Sequence, residues 1–115
     1  MNAETVVYID VSDAMVRLGN NKKLYTALLK KFEGKSMVDD LIGKIKSGDT
    51  SASAAQAHTI KGIAANLSLK DLRDKSERLE KRIKSLAALD TDTLDIERSV
   101  EYTLAAVNEW LEQNT

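Results

Sequence analysis

The chain has no cysteine, which removes disulfides, zinc–thiolate sites and thiol nucleophiles together and fits a reducing compartment. Nor is there any proline, where about six would be ordinary for this length. Aromatic residues make up only 4%. With Ala, Leu, Lys and Glu abundant, these shortages argue for helices throughout, and strands are not expected. No apolar run approaches the roughly 20 residues that span a bilayer. The start, Met1-Asn2-Ala3-Glu4, lacks the basic region of a signal peptide, so a cytoplasmic location is expected. Charge of one sign is also missing: 17 basic residues face 18 acidic ones, net −1, so nothing draws the chain toward nucleic acid. Lys22-Lys23 and Lys30-Lys31 interleave with an apolar stripe and read as a solvated face. A single histidine without cysteine leaves only carboxylates as further metal ligands, and Asp49 and Asp71 are too far along the chain to share its turn, so no metal site is predicted.

What is present is 43% hydrophobic residues in a chain of 115, ample for one core, and 1–115 reads as a single domain. Residues 1–9 are expected to be extended, with Val6, Val7 and Ile9 against a helical body. A short helix over 10–18 ends at Gly19. A second over 21–33 turns Leu24, Leu28 and Phe32 inward, flanked by Tyr25 and Leu29. The apolar phase slips at Gly34-Lys35-Ser36, which marks a break or a kink, with two helices favoured, before the stripe Met37, Val38, Leu41, Ile42 and Ile45.

Gly48 closes that stripe, and Asp49 caps a helix running to Leu67. Ser68-Leu69-Lys70-Asp71 reads as a capping box, with Leu67 and Leu72 as its staple. Leu72, Leu79, Ile83 and Leu86 then face the core, 89–92 is a loop and cap, and Leu94, Val100, Leu104, Val107 and Leu111 line the last helix. Segments 36–47, 50–67, 69–87 and 92–112 most simply form an antiparallel four-helix bundle, with the short N-terminal helices capping it.

His58 stands out. Projected at about 100° per residue, Ile60, Ile63, Ala64 and Leu67 share one face with Ala57 at its edge, and His58 points away from it. Around it lie Ala54, Ala55, Lys61, Gly62 and Ala65, none but Lys61 with a long side chain. A helical side chain leans back over the residue three or four places before it, so a larger residue at 62 would overhang the ring. Glycine inside a helix costs roughly 1 kcal/mol relative to alanine, and access to the imidazole supplies a reason for it. Lys61 can bring an ammonium toward a group attached to the ring, and a compact cation suits a phosphoryl group. Ala54, Ala55 and Ala65 are the expected centre of a docking surface. Asp39-Asp40 and the Glu77, Glu80 pair read as solubilising charge; Trp110, Phe32 and the tyrosines read as packing. A glycine-rich phosphate loop is missing, so no ATP site is expected.

His58-Thr59-Ile60-Lys61-Gly62, followed by Asn66-Leu67 and Leu72, resembles the phosphorylatable helix of histidine phosphotransfer (HPt) domains. Leu18-Gly19-Asn20, Leu24-Tyr25, Leu28-Leu29 and Phe32 resemble that family's lead-in helix, and Leu79-Glu80 its helix after the histidine, so the likeness spans roughly residues 10–86. Two positions depart from the pattern: Ser68 and Asn20 stand where the family usually has glycine. The resemblance implies a four-helix bundle and a phosphocarrier, not an enzyme. His58 would be the phosphoacceptor, with Lys61 and Gly62 beside it. Response-regulator receiver domains and a hybrid sensor histidine kinase would be the partners. No cofactor of its own is implied, since the receiver supplies Mg²⁺. A monomer is expected. The alternative is a helical adaptor that binds a receiver or another helical partner without carrying phosphate.

Overall fold

The computed structural model describes residues 6–85 and 90–114, with the side chains of residues 90 and 91 left aside. Among these residues there are six helices and no strand: α1 Val11–Arg17, α2 Lys22–Lys30, α3 Gly34–Lys46, α4 Thr50–Asn66, α5 Lys70–Lys84 and α6 Asp90–Asn114. Local chemistry accounts for three of their starts. The carboxylates of Asp10 and Asp49 and the amide oxygen of Asn21 each accept from a backbone N–H three residues on, at 3.0, 3.0 and 2.9 Å. Each such cap contributes on the order of 1 kcal/mol. The break before α3 falls at 31–33, earlier than the periodicity suggested, and Gly34 is already helical. Glycine fits closely there, because a Cβ would lie 2.5 Å from Phe32 Cζ and 3.0 Å from Val100 Cγ2 and the phenyl ring would have to shift.

Helices α3 to α6 pack in a closed ring: α3 on α4, α4 on α5, α5 on α6, and α6 back on α3. The α4–α5 contact is the most extensive. Helix α4 turns Ser53, Ala57, Ile60 and Ala64 inward, and its small side chains let α5 approach closely. Leu72, Leu79 and Ile83 meet it from α5, and Val38, Leu41 and Ile42 from α3. Helix α2 joins this body through Tyr25, fully buried, whose hydroxyl donates to the Leu67 carbonyl at 2.6 Å and whose ring meets Trp110 edge-on at 5.3 Å.

Three expectations about facing fail for tertiary reasons. Leu24 is 42% exposed while Tyr25 is fully buried. A helix of this length has one inward direction, and the Tyr25–Trp110 contact sets it. Leu94 is 53% exposed, whereas Ile96, Ser99, Val100, Thr103 and Val107 are buried. Leu94 sits about 160° around the helix from Ile96, and the buried Ser99 and Thr103 hide the stripe from any reading of apolar residues alone. Ile9 packs against the core, but Val6 and Val7 are largely exposed. Leu86 and residues 87–89 lie outside the described residues.

Ser68 departs from its predicted local structure as well. It does not open α5: Leu69 holds that N-cap position without a side-chain cap. Ser68 instead closes α4 in the left-handed region at φ 58°, and Asn20 after α1 does likewise at φ 62°. The two positions where the family usually has glycine are thus positions where the backbone takes a glycine-favouring conformation. Asparagine tolerates it comparatively well. Ser68 is held there by a part-buried hydrogen bond, its hydroxyl donating to Asp13 Oδ2 at 2.7 Å, while Leu69 is drawn fully into the core.

Candidate functional site

His58 stands in the third turn of α4. Ala57, Ile60 and Ala64 are fully buried beneath it, and its own side chain is 67% exposed. Beside it, α5 brings up Glu80. That side chain is only 8% exposed, and Leu79 and Ile83 on the same helix are buried with it. Its carboxylate is shared three ways: His58 Nδ1 lies 3.2 Å from Oε2, Lys84 Nζ 3.0 Å from the same oxygen, and Lys61 Nζ 3.0 Å from Oε1. Burial works against the ionised carboxyl, but hydrogen bonds and charge from Lys84 and Lys61 outweigh it and lower its pKa to about 2. At neutral pH Glu80 is a fixed anion beside the ring.

The sequence treated Glu80 as solubilising charge on a solvated face. That is corrected here: Glu77 is exposed, but Glu80 is buried and engaged. The two helices fold back on each other around Ser68, and His58 and Glu80 lie at similar distances from that turn. This near-symmetry is the signal that could have paired them. Lys84 follows Glu80 by one helical turn and so reaches the same carboxylate, a local spacing legible in the sequence.

Lys61 is 28% exposed and rests on Glu80, so its ammonium is near the ring without needing to swing to it. Gly62 is exposed, and a Cβ built there would meet nothing within 4 Å. Packing does not demand glycine at that position. Ala54 and Ala55 line an open depression together with His58, Thr59, Lys61, Glu80 and Lys84. Ala65 is partly buried and lies outside that lining. Among the described residues no cluster of three His, Asp or Glu side chains could hold a metal ion, and no helix is long and apolar enough to cross a membrane.

An exposed imidazole, steadied at one nitrogen by an ionised carboxylate and flanked by two ammonium groups, can act as a nucleophile toward an electrophilic, anionic group. A family model described as Hpt domain matches residues 26–113. The chain belongs to the Hpt domain family. Membership implies histidine phosphotransfer in two-component signalling, and Hpt domains are phosphocarriers rather than kinases. The match runs from within α2 to the end of α6, so the histidine helix and its Glu80 partner both fall inside it, while α1 and the segment before it fall outside. No curated protein and no solved structure matches the chain.

Proposed function

We propose that this Hpt-domain protein carries a phosphoryl group on His58 Nε2, taking it from an aspartyl phosphate of one response-regulator receiver domain and passing it to another. The observation that carries this reading is the pairing of His58 Nδ1 with the ionised Glu80 at 3.2 Å in a ring that is otherwise 67% exposed. A carboxylate there favours the tautomer with its proton on Nδ1 and leaves the Nε2 lone pair facing outward. In the step itself that lone pair forms an N–P bond as the acyl O–P bond breaks, and the bonding electrons leave with the receiver's aspartate. The Nδ1 proton stays, and Glu80 stabilises the positive charge that the ring acquires. Lys61 offsets charge on the phosphoryl oxygens. Catalysis of this kind is mainly positioning and charge neutralisation, and the partner's site would contribute Mg²⁺.

The docking surface is the face bearing Ala54, Ala55 and Ala65, with Gly62 giving the incoming aspartyl phosphate room. An antiparallel four-helix core formed by α3 to α6 is supported by their short connections and closed ring of contacts. The proposal also takes 1–115 as a single monomeric domain of the cytoplasm, served by a hybrid sensor kinase. Incubation with a phosphorylated cognate receiver should label the protein on His58 in an acid-labile, base-stable form. Labelling of a His58→Gln variant as strong as wild type would sink the proposal and favour an adaptor whose binding ignores the histidine.

A further inference from the structure

The phosphocarrier reading leaves one charged neighbour of His58 without a role. Lys84 lines the same depression as the imidazole. Its ammonium contacts Glu80 Oε2 at 3.0 Å, the oxygen that His58 Nδ1 approaches at 3.2 Å. Two groups on one oxygen are within two hydrogen-bond lengths of each other. Packing does not fix Lys84 in this place: its side chain is 64% exposed, against 28% for Lys61. Of this i,i+4 pair only the lysine is exposed, so charge and one hydrogen bond to the buried carboxylate, not packing, keep Lys84 there.

Charge gives the arrangement a sense. Two ammonium groups share a single carboxylate, so the cluster carries one surplus positive charge beside an open nucleophile. Glu80 needs only one of them to remain neutralised. A lysine on a long flexible stem with its head in solvent can leave one anion for another at small cost.

We propose that Lys84 is a second phosphoryl-binding residue: once His58 Nε2 is phosphorylated, its ammonium turns from Glu80 to the phosphoryl oxygens, while Lys61 stays within reach of both anions. This rests on the phosphocarrier reading above. Lys84 neither gives nor takes a proton in the step; it acts through charge alone and stabilises the phosphorylated state relative to the free one.

The test uses the full chain phosphorylated on His58 with phosphoramidate, followed by ³¹P NMR as a function of pH, in wild type, Lys84→Gln and Lys84→Arg. Removing a cation next to the phosphoryl group disfavours its dianion. The phosphoryl resonance of Lys84→Gln should therefore titrate at higher pH than wild type, and that of Lys84→Arg close to wild type. The transfer equilibrium with a receiver should move about fivefold toward the receiver in Lys84→Gln, the scale of one unit charge at about 4 Å in water. A purely structural Lys84 would leave the ³¹P titration unmoved, and coincident curves for Lys84→Gln and wild type overturn the inference. Failure of the phosphocarrier reading is separate: it appears as wild-type protein that accepts no label from any phosphorylated receiver.

Discussion

Replacing Glu80 with glutamine keeps its shape and removes its charge, and the site geometry sets what should follow. In the folded protein the carboxyl has a pKa of about 2 instead of its ordinary 4.5, which corresponds to about 3 kcal/mol of preference for the ionised form. Lys84 is 64% exposed, so solvent screens part of this, and a loss of about 2 kcal/mol in Glu80→Gln at pH 7 is the working figure. The sign follows from the lowered value. Glu80 contributes its full stability above about pH 4.5, where the unfolded carboxyl is also ionised. That contribution is lost as pH falls through the window from about 4.5 to about 2. Urea denaturation of wild type and Glu80→Gln should therefore show a gap that is flat from pH 5 to 7 and below half its plateau at pH 3. Phosphotransfer at pH 7 should fall by about tenfold or more, because glutamine provides no charge to hold the Nδ1 proton. A stability gap that does not change between pH 7 and pH 3, or transfer at the wild-type rate, would refute the view of Glu80 as the anion that orders this site.

Substitutions at two other positions probe the backbone that presents the histidine. Gly62→Ala should stabilise the protein by up to about 1 kcal/mol in thermal melts, since the added methyl meets open space and alanine is the better helix former; Gly62→Leu should stay folded but lose transfer, and normal transfer by the folded leucine variant would remove the access argument. Ser68→Ala loses the part-buried hydrogen bond to Asp13 while keeping a left-handed residue with a Cβ, so it should be less stable than wild type by about 1 kcal/mol. Ser68→Gly should be more stable than Ser68→Ala by about 1 kcal/mol, and the opposite order in denaturant midpoints would show that the positive φ is not the source of the difference.

Much of the fold was legible because helices are written in local relations. Asp10, Asn21 and Asp49 cap the residues three places on, and Gly19 and Gly48 take positive φ just after helices. His58 faces outward because the buried positions beneath it recur at helical spacing in its own segment. The positions of Lys61 and Gly62 relative to His58 were equally readable, since both lie within one turn of it. Family membership, too, was visible, in the run from His58 to Gly62 taken together with its place in an all-helical chain and the matching residues on either side of it.

The rest needed the helices to meet. Tyr25 rather than Leu24 turns inward because Trp110 and the end of α4 stand there to receive it, and Leu94 points outward because buried Ser99 and Thr103 belong to the inner stripe of α6. Ser68 adopts a left-handed backbone against its own sequence pattern because α4 must turn back sharply and Asp13 of α1 is placed to hold its hydroxyl. From the chain alone came an accessible histidine with a lysine and a gap beside it. What turned that histidine into an ordered site was the register between α4 and α5, which carries Glu80 with Lys84 to its side; that register is set by packing between residues remote in sequence, and no local periodicity records it.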